Sequence, residues 1–193
     1  MSTASAVDEA VDAAFEPLRG RPDVDRVAAL VSNAADYGAI WVALALWKAR
    51  RPGPRRRRAI LALGSAGVAS MLTNRAAKDL VQRQRPADHL QVGVRTPTSS
   101  SFPSGHTLAA FATALVLGEN NTQVAAYASF ATAVAASRVH LRAHHPSDVA
   151  GGALIGTALG LGLRPVVGRL VPGASRRDRR HGMGRATVLL ERL

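Results

Sequence analysis

Five long apolar stretches, separated by short polar segments, occupy the chain between residues 34 and 163. They cover about 34–49 and then 59–74, 106–118, 124–137 and 149–163, and within them only Asp36 and Lys48 belong to the Asp, Glu, Lys and Arg types. This pattern predicts an all-α fold, a polytopic membrane bundle of about five spanning helices. Each stretch is shorter than the ~20 residues that a full span needs, so the helices must extend into their flanks. A soluble bundle of buried, alanine-rich helices is the alternative.

The amino-terminal segment has a different pattern. Between residues 5 and 20, Val7, Val11, Phe15 and Leu18 recur at helical spacing among acidic residues, which predicts a short amphipathic helix with Ser5 as its N-cap. We therefore divide the chain into an amphipathic or interfacial segment (1–33), a transmembrane catalytic domain (34–171) and a basic carboxy-terminal tail (172–193).

The segment between the first two apolar stretches, Lys48–Arg58, carries seven positive charges and no negative charge. Its prolines and glycine predict a loop, and the positive-inside rule places that loop in the cytoplasm. Counting crossings from this loop places the polar residues near 78–104 and 138–148 together at the opposite face. We therefore expect a protein of the bacterial inner or plasma membrane with its polar site on the extracytoplasmic face.

Composition supports a membrane environment. Hydrophobic residues make up 47% of the 193 residues, but aromatic residues only 4%, which suits closely packed membrane helices better than a bulky soluble core. Gly152, Gly156 and Gly160 form a stripe of small residues at four-residue spacing. Such a stripe allows close helix contact, whereas this much glycine is costly in a soluble helix.

The formal net charge of +12 admits nucleic acid, anionic lipid or an anionic substrate as partners. The arginines do not form a basic helix face interleaved with aromatic residues, so we expect no nucleic-acid partner. The absence of cysteine excludes disulfides and cysteine-ligated zinc.

Three polar segments carry groups suited to phosphate chemistry. The first, Lys78–Pro86, offers ammonium and guanidinium donors for a phosphate dianion. The second, Ser99–Thr107, offers a helix start with exposed amides and a histidine. The third, Ser137–Asp148, places a histidine and a carboxylate four residues apart, where the carboxylate can fix the imidazole tautomer.

Each segment also has a simpler interpretation. The first can be a set of interfacial anchors, the second an N-capped helix with an incidental histidine, and the third a polar loop between helices. Two histidines and a carboxylate can also ligate a metal ion. The crowding of arginine and lysine disfavours a divalent cation there, so we expect no metal and no cofactor.

Taken together, the three segments resemble the type 2 phosphatidic acid phosphatase (PAP2) superfamily, whose site is shared with vanadium haloperoxidases. The family pattern is Lys-x6-Arg-Pro, then Pro-Ser-Gly-His, then Ser-Arg-x5-His-x3-Asp. Here it is carried, in order, by Lys78 with Arg85-Pro86, by Pro103-Ser104-Gly105-His106, and by Ser137-Arg138 with His144 and Asp148. Many membrane members have six spanning helices, whereas this sequence offers five.

The resemblance implies a metal-independent phosphatase that works through a phosphohistidine. It assigns His144 as nucleophile, Asp148 as the group that orients it, and His106 as acid and then base. It assigns phosphate binding to Lys78, Arg85, Ser104, Gly105 and Arg138. The implied partners are the bilayer and a lipid phosphate, such as a polyprenyl phosphate or diphosphate, a phospholipid phosphate, or a lipid-linked sugar phosphate such as decaprenyl-phosphoryl-phosphoribose. A vanadium-dependent haloperoxidase and a non-catalytic basic membrane protein are the alternatives.

Overall fold

The computed structural model describes residues 3–87 and 99–172, and these residues form an all-helical bundle. Seven α-helices occur in the described residues: α1 (Thr3–Phe15), α2 (Pro22–Ala34), α3 (Ala39–Ala49), α4 (Pro54–Leu80), α5 (Gly105–Leu117), α6 (Asn121–His140) and α7 (Pro146–Leu170). The all-α prediction is confirmed. The predicted basic tail, apart from Pro172, lies outside the described residues.

The centre of the bundle is α5, which packs against α4, α6 and α7. The glycine stripe of α7 faces it: a Cβ atom on Gly152 would lie 2.6 Å from the Ser104 carbonyl oxygen, and one on Gly156 would lie 2.3 Å from the Leu108 carbonyl oxygen. Both distances are too short for a side chain, so the backbones of α5 and α7 touch because these positions are glycine. The predicted role of the stripe in helix packing is confirmed.

The predicted amphipathic helix is present as α1, which continues through a short 3-10 turn to Leu18. Ser5 lies inside α1, so its predicted N-cap position is wrong. Acidic residues of α1 attach it to one end of the bundle: Asp12 pairs with Arg19 and with Arg142. Arg19 in turn donates from Nε to the carbonyl oxygen of His140 at 3.0 Å.

The first apolar stretch is not one helix. α2 and α3 meet at a bend of 55° at residues 35–38, where Tyr37 and Gly38 have φ angles of +53° and +70°. Left-handed backbone at two consecutive residues interrupts the helical hydrogen bonds, so the predicted helix over about 34–49 begins at Ala39 instead. The bend turns Ser32 and Asp36 towards the end of the bundle where the polar segments meet.

The arginine-rich loop is also shorter than predicted. Lys48 belongs to α3, only residues 50–53 connect the helices, and Pro54 begins α4. Proline is favoured at the first position of a helix, because its fixed φ is helical and it has no N–H to leave unpaired. Arg55 to Arg58 therefore lie in the first turns of a helix rather than in a loop.

Each of the five predicted apolar stretches coincides with helix, but the number of spans is not confirmed. Within the described ranges, α7 alone is long and apolar enough to cross a bilayer, and the bent pair α2–α3 meets the same criterion when its two halves are taken together. α5 is apolar but only 13 residues long.

Candidate active site

The three polar segments meet at one end of the bundle. Here α4 and α6 end, α5 and α7 begin, and residues 81–87 and 99–104 run between them. Arg85 joins the first and third segments, since its Nη1 lies 2.8 Å from the carbonyl oxygen of Ala143 and 3.3 Å from Nε2 of His144. Lys78 and Arg85 both donate to the carbonyl oxygen of Ser100, at 2.8 and 3.3 Å. Arg85 thus lies beside the imidazole of His144, and Lys78 shares a backbone acceptor with Arg85.

His144 is 3% exposed and lies in the turn between α6 and α7. Its Nδ1 lies 2.8 Å from the carbonyl oxygen of Ser101, and a carbonyl can only accept, so Nδ1 carries the proton. The tautomer leaves the lone pair on Nε2, which faces Arg85. Asp148, which we expected to fix this tautomer, is farther away, with its Oδ2 3.8 Å from Nδ1. A backbone carbonyl therefore makes the hydrogen bond that sequence reasoning assigned to the carboxylate.

Asp148 is fully buried and holds the start of α7. Its Oδ2 accepts from the backbone N–H of His145 at 2.9 Å, and its Oδ1 accepts from Nη1 of Arg83 at 2.8 Å. Arg83 also donates from Nη2 to Asp8 of α1 at 2.6 Å. Arg83 lies in the first polar segment, but its role was not foreseen, because nothing in its spacing distinguishes it from its basic neighbours.

Arg138 is fully buried, and its guanidinium is only partly satisfied. Nη1 donates to the hydroxyl of Ser32 in α2. Nε and Nη2 have no hydrogen-bond partner among the residues that the structure describes. Buried donors are almost always paired, and a guanidinium binds two oxygens of a phosphate in its fork. The free edge of Arg138 is therefore suited to an anion.

His106 lies in the first turn of α5, as its sequence position predicted. Its Nε2 lies 2.6 Å from Oδ1 of Asp36, at the bend between α2 and α3. Sequence reasoning missed Asp36 as a site residue, although a signal was present. A lone carboxylate near an apolar stretch is costly in a membrane and marks a functional position. Because Nε2 donates to Asp36, Nδ1 is the ring nitrogen left to exchange a proton.

Ser104 and Gly105 occupy the N-terminus of α5. Ser104 is fully buried and is the N-cap residue. Its hydroxyl accepts from Thr107 at 3.1 Å, and its backbone N–H donates to the carbonyl oxygen of Asp148 at 3.0 Å. The Ser104 amide is thus already used, whereas its hydroxyl hydrogen is still available to an acceptor. At Gly105, an added Cβ would lie 3.1 Å from the side chain of Asn74, so the position is tightly enclosed.

A cavity of about 260 Å³ opens beside His144. Asp8 and Asp12 of α1 line one side, and Pro86 and Arg142 also contribute to its wall. The amphipathic helix therefore lines a cavity that reaches His144. In the described ranges, no group of three or more histidine, aspartate or glutamate side chains is arranged to hold a metal ion.

Comparison with known proteins identifies the family. The PAP2 superfamily profile matches residues 58–172. The decaprenylphosphoryl-5-phosphoribose phosphatase of Mycolicibacterium smegmatis is 36% identical over 154 residues, which are 79% of this chain and 84% of that protein. The enzyme of the same name from Mycobacterium tuberculosis is 37% identical over 145 residues, covering 74% of this chain and 80% of that protein.

The fold also has a counterpart among solved structures. The crystal structure of a transmembrane PAP2 type phosphatidylglycerolphosphate phosphatase from Bacillus subtilis matches with a TM-score of 0.71 at 23% identity, covering 90% of each chain. The profile spans more than half of the chain, and it includes Lys78, Arg85, His106, Arg138 and His144. The chain therefore belongs to the PAP2 superfamily and is a phosphatase.

Proposed function

We propose that this protein is an integral membrane phosphatase that hydrolyses a lipid-linked phosphate through a phosphohistidine on His144. The observation that carries the proposal is the state of the His144 imidazole. Its Nδ1 is held by the Ser101 carbonyl, and its Nε2 points to the cationic group of Arg85. A neutral nitrogen nucleophile directed at an anion-binding site is the arrangement that phosphoryl transfer through a phosphohistidine requires.

In the first step, the Nε2 lone pair of His144 forms a bond to phosphorus, and the bond from phosphorus to the alcohol oxygen breaks. The leaving oxygen takes a proton from His106. The phosphorylated imidazole is cationic, because Nδ1 keeps its proton. The Ser101 carbonyl and the Asp148 carboxylate, which is 3.8 Å away, stabilise that charge.

In the second step, His106 takes a proton from water as the water oxygen attacks phosphorus. The bond from phosphorus to Nε2 breaks, inorganic phosphate leaves, and His144 returns to its starting state. Throughout both steps the three non-bridging oxygens need donors in fixed positions. We assign this role to Lys78, Arg85 and Arg138, with the Ser104 hydroxyl and the Gly105 amide.

The outer surface of the bundle supports a lipid environment. Large apolar side chains point outwards from several helices: Leu46 is 64% exposed, Met71 64% and Leu154 73%. In water such a surface would be costly, whereas lipid tails cover it. The arginine-rich end of α4 lies opposite the active site, so the positive-inside rule favours an extracytoplasmic active site in a bacterial inner membrane.

The named relatives suggest the substrate. Both mycobacterial proteins are decaprenylphosphoryl-5-phosphoribose phosphatases, so we propose a polyprenyl-linked sugar phosphate as the preferred substrate. The test is phosphate release by the purified enzyme in detergent with chelator present. The panel holds a polyprenyl-phosphoryl-phosphoribose, phosphatidylglycerophosphate, phosphatidic acid and a polyprenyl diphosphate. We expect the sugar phosphate to give a kcat/KM at least about ten-fold above the others, which corresponds to ~1.4 kcal/mol of transition-state discrimination.

Two outcomes would contradict the proposal at different levels. If phosphatidylglycerophosphate is hydrolysed best, the enzyme is a lipid phosphatase of another specificity. If no lipid phosphate is hydrolysed, and halide is oxidised when vanadate and peroxide are added, the pocket serves haloperoxidase chemistry instead.

The protonation state of His144 gives a prediction on pH. Burial, together with the charges of Arg85 and Arg138, lowers the pKa of His144 from 6.5 to about 4, while Asp148 opposes the shift. His144 should therefore remain neutral, and able to attack, as the pH falls from 7 through 6.5. We expect its ring resonances in ¹³C-histidine NMR of the substrate-free enzyme to keep their neutral shifts down to about pH 5. The His144→Asn variant assigns the signal, and titration near pH 6.5 would contradict the proposal.

A further inference from the structure

A second cavity, lined mainly by cationic residues, lies at the end of the bundle opposite His144. It has a volume of about 400 Å³ and is lined by Lys48, Arg50, Arg51, Arg55, Glu119 and Gln123, with Trp47 at its edge. These residues come from the end of α3, the α3–α4 connection, the start of α4, and the α5–α6 connection with the start of α6. We call it the distal cavity.

The distance between the two ends matches a bilayer. Arg55 and Lys78 lie near opposite ends of α4, which has 27 residues and is therefore ~40 Å long at ~1.5 Å per residue. A bilayer with its headgroup regions is about 40–45 Å thick. With the active site in one headgroup layer, the distal cavity lies in the other.

The charge of the distal cavity is not balanced by protein groups. Lys48 is only 8% exposed, and its Nζ lies 2.8 Å from Oε1 of Glu119 and 2.9 Å from the amide oxygen of Gln123. Arg55 is more distant, with its Nε 4.0 Å from Glu119. Four cations surround one carboxylate, so three positive charges remain. In the described part of the chain, Arg50 and Arg51 have no acidic partner.

The apolar surroundings indicate where the counter-anion comes from. Trp47 at the cavity edge is 58% exposed, and Leu46 beside it is 64% exposed. Tryptophan favours the level of the headgroups, and leucine favours the acyl chains. Basic pockets between membrane helices bind lipid headgroups. A free phosphate ion has no apolar part that could contact Trp47 and Leu46, whereas a phospholipid has acyl chains that can.

We propose that the distal cavity binds the phosphate of an anionic phospholipid from the leaflet opposite the active site. Arg50, Arg51 and Arg55 hold the phosphate oxygens, and the Lys48–Glu119 pair forms the floor of the site. The acyl chains lie along Leu46 and Trp47. The proposal requires that the bundle spans a bilayer, as proposed above, but it does not depend on the phosphatase chemistry.

The chain offers a charge-matched control. Arg51→Gln with Arg55→Gln removes two cations from the cavity, whereas Arg56→Gln with Arg57→Gln removes two exposed cations of α4 that do not line it. Both double variants lower the net charge by two. The comparison therefore separates a defined site from general attraction of anionic lipid to a basic surface.

The experiment measures binding of phosphatidylglycerol to the full-length protein in neutral detergent by native mass spectrometry. Phosphatidylcholine and inorganic phosphate serve as the other two probes. We expect the wild type and the Arg56/Arg57 variant to bind phosphatidylglycerol alike, and the Arg51/Arg55 variant to bind it at least about ten-fold more weakly. Phosphatidylcholine should bind weakly to all three proteins.

If both double variants lose phosphatidylglycerol binding equally, the proposal is overturned, because the lipid is then attracted to the basic surface as a whole and not to a defined site. If inorganic phosphate displaces phosphatidylglycerol at a similar concentration, the site binds free phosphate, and the proposal that its anion is a lipid headgroup is overturned. Hydrolysis of a soluble, short-chain substrate is measured in parallel. If the Arg51/Arg55 variant keeps its hydrolytic activity, the distal cavity is separate from the catalytic site. The lipid-binding proposal and the phosphatase proposal can then fail independently of each other.

Discussion

Replacing His144 by asparagine is expected to lower kcat by about 10⁴-fold or more, the scale seen when a catalytic nucleophile is removed. Asparagine keeps a donor near the Ser101 carbonyl, which lies 2.8 Å from Nδ1 in the native protein. It has no nucleophilic lone pair, so no covalent intermediate can form. Binding of a lipid phosphate should persist, because Lys78, Arg85 and Arg138 are unchanged.

The neighbouring histidine provides the control. His145 is the N-cap residue of α7, and among the described residues no hydrogen bond joins its side chain to Ser101 or Arg85. Asparagine is also a good N-cap, so His145→Asn should keep kcat within about three-fold of wild type. Quenching with denaturant during turnover of a ³²P-labelled substrate should trap acid-labile label on wild type and on His145→Asn. Label on His144→Asn, or equal activity of His144→Asn and wild type, would refute the phosphohistidine.

Replacing Asp36 by asparagine is expected to lower kcat by about 10²-fold, within the range that general acid–base catalysis contributes. Asp36 Oδ1 lies 2.6 Å from Nε2 of His106, so the carboxylate both orients the ring and stabilises its protonated form. The amide keeps the shape of the side chain but loses the negative charge. The alkaline limb of the kcat profile should then move to lower pH, because the protonated acid is less stable.

A second aspartate–histidine pair serves as the comparison. Asp25 Oδ1 lies 2.7 Å from Nε2 of His140, a contact of nearly the same length that does not involve the cationic residues around His144. Asp25→Asn should lower the melting temperature and leave the pH profile of kcat in place. If both substitutions lower stability and neither moves the pH profile, Asp36 has a structural role and does not position the acid.

The sequence was sufficient to locate helices α4 to α7 and the motif residues, because both leave local signals. Apolar stretches without charges predicted α5 and α6 within three residues, whereas α4 and α7 extend up to seven residues beyond their predicted ends. The charge pattern brought Lys78, Arg85, His106 and His144 to one end of the bundle. The bend at Tyr37 and Gly38 could not be predicted, since no proline marks it and an apolar stretch continues beyond it.

The contacts that complete the site were less accessible to sequence reasoning. The acceptor for Nδ1 of His144 is the backbone oxygen of Ser101, and every residue has such an oxygen, so no side-chain pattern reveals it. Ser32 reaches Arg138 because α2 packs against α6, a contact between helices far apart in the chain. Asp36 was the exception: its isolation in apolar sequence was visible, but its partner was a histidine 70 positions away.

The glycine contacts between α5 and α7 also have a consequence for the rigidity of the proposed site. His106 begins one of these helices, and Asp148, just beyond His144, begins the other. Their backbones touch at Gly152 and Gly156, with no side chains between them to change rotamer. Sliding one helix past the other would push Cα atoms into carbonyl oxygens, so the two helices move as one rigid body. We therefore expect the proposed acid, His106, and the proposed nucleophile, His144, to keep a nearly fixed separation during turnover.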